Sequence, residues 1–174
     1  MKLITLNVCG LRDDNKRLTF LQWLSHLSCD IVCLQETHVL SPFEANSCFF
    51  SFGFLSLVSP GSNRSCGTVI LYRATFILNN HCFDTEGRFS LAEFSFRDAV
   101  FRVASLYAPN LKPQRDDFLM SCISVIDPSV PTFVCGDFNA VFDRSRDRRG
   151  SSPFVSGRES CSTLLDFFLR MLHC

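Results

Sequence analysis

The sequence predicts an α/β (α+β) fold, a sandwich of β-sheets with helices on the outside. Three observations carry that prediction. Short apolar, β-branched runs recur along the chain, two strand-like runs adjoin as a hairpin, and amphipathic segments with helix-start signals fall between the strands. Phenylalanine supports the same reading: 19 of 174 residues are Phe, and aromatic rings suit pleated, half-buried surfaces.

In chain order, residues 2–8 (KLITLNV) read as a strand and residues 13–28 as a helix. In that helix Leu18, Leu21, Leu24 and Leu27 recur every third position, Phe20 and Trp23 widen the stripe, and Asp13, Asp14 and Asn15 supply capping groups. Residues 30–35 (DIVCLQ) form a short apolar strand that ends at Glu36. Residues 67–72 (GTVILY) are continuously apolar, as in a strand buried on both faces. Residues 88–97 and 99–107 form a hairpin broken at Arg97 and Asp98, with Phe101, Val103, Ser105 and Tyr107 on one face of its second strand. A helix starts at Pro113, a favoured first-turn residue, with Asp116 and Asp117 suited to its positive end and Phe118, Leu119, Cys122, Ile123 and Ile126 as apolar positions. Residues 132–135 are a buried strand leading into Gly136 and Asp137. A last helix opens on the capping box Ser156 and Glu159, with Cys161, Leu164, Leu165, Phe168, Leu169 and Leu172 along one face.

No repeat or linker interrupts the chain, so residues 1–174 read as a single domain. With 17 basic and 17 acidic residues the formal charge is zero. A strong duplex binder normally carries a basic surplus, so any grip on nucleic acid must come from a local patch. The ten cysteines include no Cys-x-x-Cys pair, and the histidines do not join them at zinc spacing. Cys9, Cys33 and Cys135 sit in apolar runs where cysteine acts as a small hydrophobe. A reducing compartment, nucleus or cytosol, fits that usage. The N-terminal MKLITLNVCGL is too short for a membrane span and too interrupted for a secretion signal.

Polar groups compatible with metal recur at the ends of predicted strands: Asn7, Glu36, Tyr107 to Asn110, and Asp137 to Asn139. Each alone also reads as a turn former or a helix-start carboxylate. Together they suggest loops converging on one rim, and oxygen donors of this kind suit Mg²⁺ or Mn²⁺.

The segments LNVCGL (6–11), LQETH (34–38), CGTVILY (66–72), LYAPN (106–110) and GDFNAV (136–141) stand in the order found in the endonuclease/exonuclease/phosphatase superfamily, which the chain resembles over nearly its whole length. Within that superfamily it is similar to the apurinic-type endonuclease domain of non-LTR (long interspersed element) retrotransposons. The carriers are LQETH, LYAPN and the stretch DRSRDRRG (143–150), followed by an amphipathic helix.

The resemblance implies a four-layer architecture of two sheets flanked by helices, and a metal-dependent DNA endonuclease. It makes Glu36 the principal metal carboxylate with Asn7 beside it. Asp137 orients and deprotonates the attacking water, Asn139 bonds the phosphoryl oxygen, Tyr107 positions the phosphate or nucleophile, and Asn110 supports that loop. Asp137 and Asn139 complete the candidate metal set. Arg144, Arg146, Arg148 and Arg149 read either as a DNA-binding patch or as a solvated charge run compensated by Asp143 and Asp147. His38 reads as a solvated loop residue with no role in the resemblance.

One departure stands out. The family pattern ends with a strand aspartate and a Ser-Asp-His motif, and no Ser-Asp-His occurs here. The chain thus resembles the front part of the domain, lacking its last strands and truncated at the C-terminus. Three readings follow: a retrotransposon-derived DNA nicking enzyme, fused in a longer product to a reverse transcriptase; a phosphatase of a small phosphoester; and a truncated, weak or inactive element fragment.

Overall fold

A computed structural model describes residues 1–38, 41–61 and 66–140. The predicted last helix and the four arginines Arg144, Arg146, Arg148 and Arg149 lie outside the described residues. The chain divides into two compact units. The first comprises Met1–Tyr107 and Pro131–Asp137; the second comprises Ala108–Val130 and, among the described residues, 138–140.

The first unit contains two four-stranded mixed sheets. In one, β1 (Leu3–Asn7), β2 (Ile31–Gln35), β4 (Thr68–Tyr72) and β3 (Leu55–Ser59) lie in that spatial order, with β1 parallel to β2 and the other pairs antiparallel. In the other the order is β5 (Ile77–Phe83), β6 (Phe89–Phe96), β7 (Ala99–Tyr107) and β8 (Thr132–Asp137), antiparallel except for the parallel pair β7 and β8. The first sheet packs α1 (Asp14–Ser25) and α2 (Pro42–Phe50) on its outer face. This is the expected sandwich with helices outside.

Period-two alternation explains why β2 and β4 are buried along their whole length. Val32, Leu34, Val69 and Leu71 point to the helices and pack with Leu21, Leu24, Phe49 and Phe54. Ile31, Cys33, Ile70 and Tyr72 point to the second sheet and meet Phe76, Phe94, Phe101 and Val103. The rings there interlock, with Phe76 stacked on Phe96 at 4.7 Å and Tyr72 tilted on Phe94 at 5.0 Å between centroids.

Several sequence expectations need correction. Asp13 caps α1 through the Lys16 N–H at 2.8 Å, but the helix ends at Ser25, so Leu27 is not part of it. Its buried residues are Phe20, Leu21 and Leu24, whereas Leu18 and Trp23 are 51% and 44% exposed. At about 100° per residue a strict every-third repeat drifts around the helix, leaving Leu18 and Trp23 on opposite flanks of the stripe. The elements α2, β3 and β5 have no sequence-based counterpart; β5 carries two asparagines and a register shift between Leu78 and Asn80, which hide its alternation. Cys9 is exposed in a loop beyond β1, not inside a strand, while Cys33 is buried in β2 and Cys135 half-buried in β8. All eight described cysteines are free thiols.

The second unit contains α3 (Lys112–Val125), one residue earlier than Pro113. Asp116 falls past its first turn and pairs with Lys112 at 2.5 Å. Its buried stripe is Arg115, Leu119 and Cys122, continued by Ile126 past the helix end, at spacings of four, three and four. A fully buried arginine takes the place expected for an apolar residue.

Candidate active site

The site follows from strand direction. In the parallel pair β1 and β2, Asn7 is the register partner of Gln35, so Glu36 comes immediately beyond it. In the parallel pair β7 and β8, Tyr107 is the partner of Asp137. Parallel neighbours deliver their carboxyl ends to one rim, and here both sheets do so on the same side. The side chains close the gap. Asn7 Nδ2 donates to Glu36 Oε1 at 2.9 Å and to Asp137 Oδ2 at 3.0 Å, joining the two sheets through one amide.

The orientation of that amide has a local cause. Asn7 Oδ1 accepts the Cys9 N–H at 3.0 Å, an Asx turn that aims the NH₂ group at the carboxylates. The turn reading and the site reading of Asn7 therefore hold together. As placed, Asn7 presents hydrogens to the carboxylates, and its oxygen is engaged by the backbone.

Tyr107 is buried, with its phenol close enough to Glu36 for that carboxylate to act on it. Burial, and then the neighbouring Glu36 carboxylate, push its phenol well above the ordinary tyrosine range, so it stays protonated and remains a donor. Beneath the rim, Gln35 Nε2 donates to Ser105 Oγ at 2.9 Å and to Thr5 Oγ1 at 3.1 Å. A second polar link between the sheets joins Thr68 and Ser90 hydroxyls at 2.6 Å. These buried pairs fix the relative height of the two strand ends, because leaving such groups unpaired costs about 1–3 kcal/mol each.

Backbone torsions cluster at the same rim. Cys9, Glu36, His38 and Cys66 all take positive φ, between 47° and 64°. Non-glycine residues rarely hold that region without tertiary support, and such strain concentrates at functional sites. The support is visible: the Thr37 and His38 N–H groups bond the carbonyls of Gly67 and Cys66, each at 3.1 Å.

His38 corrects the expectation of a solvated loop residue. Its side chain is 24% exposed and its Nε2 lies 3.8 Å from Glu36 Oε2. Gly10 makes room for it, since a Cβ there would stand 2.7 Å from His38 Nδ1. The glycine of LNVCGL and the histidine of LQETH thus fit each other. The adjacency of His38 to Glu36 in sequence was the available signal.

Asn139 and Asn110 belong to the second unit and are organised within it. Asn139, with φ of 47°, is buried and donates from Nδ2 to the Ala108 carbonyl at 2.8 Å. Arg115 Nη1 donates to the Asn110 carbonyl at 2.9 Å and the Asn139 carbonyl at 3.2 Å, pinning the two loops together. Asn110 itself is exposed. Arg115 and Arg88, which flanks Tyr107, were not singled out by the sequence. No motif residue sits beside either one in the chain.

The donor set fits a hard divalent cation. Two carboxylates from different sheets lie within 3.0 Å of one nitrogen, and Mg²⁺ sites typically use one or two carboxylates plus water and substrate. Among the described residues no group of three or more His, Cys, Asp or Glu forms a denser candidate centre. No helix among the described residues is long and apolar enough to cross a membrane.

The chain is similar to several known proteins. The model of the Endonuclease/Exonuclease/phosphatase family matches residues 4–169. An exodeoxyribonuclease of Bacillus subtilis (strain 168) is 30% identical over 154 residues, covering 80% of this chain and 58% of the relative. The chain therefore spans a little over half the length of that relative. An AP endonuclease from Archaeoglobus fulgidus superposes with a TM-score of 0.73 at 20% identity, covering 97% of this chain and 69% of that one. The 3′ phosphatase NExo from Neisseria, bound to a product DNA hairpin, gives 0.72 at 17% identity with the same coverages. At these identities the two solved structures speak to the fold alone.

Proposed function

The chain belongs to the Endonuclease/Exonuclease/phosphatase family, and from that membership we propose that it is a divalent-metal-dependent phosphodiesterase domain that cuts the DNA backbone. The observation that carries the reading is the convergence of Glu36 and Asp137, from different sheets, on the Asn7 amide beside the Tyr107 hydroxyl. Glu36, with Asn7 beside it and Asp137 and Asn139 completing the set, would hold Mg²⁺ or Mn²⁺. When bound, the cation neutralises the phosphate and stabilises charge on the leaving oxygen.

The chain's own groups supply the rest. Asp137 orients the attacking water and accepts its proton. Tyr107, kept protonated, donates to the phosphate, and Asn139 donates to a phosphoryl oxygen as negative charge develops. Asn110 supports the Tyr107 loop. Arg144, Arg146, Arg148 and Arg149 follow Asn139 closely in sequence and would contact DNA phosphates. DNA as substrate is supported by the exodeoxyribonuclease relative. The LQETH and LYAPN resemblance supports origin in a non-LTR retrotransposon and fusion to a reverse transcriptase, and the cysteine usage supports a nuclear or cytosolic location.

We also infer that this is the front part of a longer domain, because it spans 58% of the exodeoxyribonuclease and lacks Ser-Asp-His. Removing a positioned acid–base group typically costs on the order of 10²–10⁴ in rate. The test is relaxation of supercoiled plasmid with Mg²⁺, using Asp137→Ala as the control. Slow nicking that disappears in the variant, and accelerates when the chain is extended through Ser-Asp-His, is the expected result. Nicking equal in the wild type and Asp137→Ala would overturn the reading.

A further inference from the structure

Arg88 lies just before β6 and has no place in the roles assigned so far. Its surroundings are unusually specific. Asp84 Oδ1 accepts the N–H groups of Arg88 and Phe89 at 2.8 and 3.0 Å, which fixes the turn carrying it. Arg88 and Tyr107 then bond each other through the backbone, Tyr107 N–H to Arg88 carbonyl at 2.7 Å. The side chain returns to the same residue. Nη1 donates to the Tyr107 carbonyl at 3.2 Å, and the guanidinium carbon stands 5.2 Å from the centroid of the Tyr107 ring.

One residue therefore grips Tyr107 at its nitrogen, its carbonyl and its ring. The side chain is 22% exposed, so the cation acts on the ring in a partly dried setting, where such contacts are strongest. Its carboxylate neighbour, Glu86 at 3.5 Å, is 74% exposed and leaves the stacking face of the guanidinium on Tyr107. The opposite end of the ring carries the hydroxyl, on which the neighbouring Glu36 carboxylate acts. Fixing the ring plane from behind sets the line along which that hydroxyl points.

We propose that Arg88 is a positioning residue for the reaction, holding the Tyr107 ring so that its hydroxyl is aimed at the Glu36 carboxylate and the phosphate beside it. The inference rests on the reading of Tyr107 as part of the active site. A planar, two-pronged group is needed for this. Lysine retains the charge but cannot both stack and bond the carbonyl.

The chain has only two tyrosines, Tyr72 and Tyr107, so labelling tyrosine with ¹³C at Cζ gives two signals that Tyr72→Phe assigns. In Arg88→Met, which keeps length and packing, the Tyr107 signal is expected to shift or broaden while that of Tyr72 stays in place. In the same variant kcat for plasmid nicking falls by about tenfold to a hundredfold with KM little changed, as for a misaimed group. Arg88→Lys lies between Met and the wild type in both readouts. An unmoved Tyr107 signal in a folded Arg88→Met or Arg88→Lys protein overturns the proposal, as does a rise in KM at constant kcat, which would make Arg88 a substrate contact. A shifted Tyr107 signal in a protein that never nicks DNA supports the aiming of the ring and overturns the phosphodiesterase reading instead.

Discussion

Strands β2 and β8 each deliver a carboxylate to the same rim, yet they are held in opposite ways. Every residue of β2 is buried, between helices on one face and the second sheet on the other. Strand β8 is an edge strand, largely half-buried, with Phe133 48% exposed. Glu36 is therefore placed by the core, whereas Asp137 is placed by its pairing with β7 and by the Asn7 amide. Changes beneath Glu36 should act on the whole fold, and changes beneath Asp137 on the site.

Leu34→Ala is the strongest way to probe the first half of that contrast. Leu34 is fully buried among the helix-facing residues, and truncation there costs about 2–5 kcal/mol. Denaturant unfolding is expected to show one cooperative transition at a lower midpoint. Loss of the site alone, with stability unchanged, would break the comparison.

Gly136→Ala probes the second half. Gly136 has φ of 144°, and a Cβ there would stand 2.0 Å from the Leu106 carbonyl oxygen. The two backbones must separate, at about 1–3 kcal/mol, and Asp137 moves with β8. We expect nicking to fall far more than this stability loss accounts for. Wild-type activity in a folded Gly136→Ala protein would show that β8 does not set the carboxylate.

The capping box of α2 gives the control, because Ser41 and Glu44 bond each other and have no assigned role at the rim. Ser41 Oγ accepts the Glu44 N–H at 3.2 Å, and Glu44 accepts the Ser41 N–H at 3.1 Å. Ser41→Ala should lower stability by about 1 kcal/mol and leave nicking unchanged below the melting range. Glu44→Gln is the smallest effect. Bonds from the Ser41 backbone and hydroxyl hold the Glu44 carboxyl below its ordinary value of 4.5. The native state thus binds its proton less readily than the unfolded chain, so the stabilisation is present above that value and is lost as pH falls through the lowered one. The deficit of Glu44→Gln in thermal melts should be visible at neutral pH and vanish in acid.

The same contrast explains what was legible in the sequence. Strands buried on both faces, such as residues 67–72, read plainly because every position is apolar. Edge strand β5, exposed along most of its length, offered no such run. Of the candidate site residues, Asn7, Glu36, Tyr107 and Asp137 are brought together because they close strands whose ends were visible. Arg88, Arg115 and the approach of His38 to Glu36 depend on contacts between segments far apart or on loop torsions, which no local periodicity encodes. Leu18 and Trp23 were misread for a simpler reason, since residues three apart share a helix face only over a short span.

The central claim is that Glu36 and Asp137, arriving from differently held strands and bridged by the Asn7 amide, supply the carboxylates of one cation site. Calorimetric titration of Mn²⁺ into the wild type and Glu36→Gln tests it without any appeal to catalysis. The account predicts saturable binding in the wild type, weakened by about tenfold or more when the carboxylate becomes an amide. Equal Mn²⁺ affinity in the two proteins would remove Glu36 from the site and contradict the account.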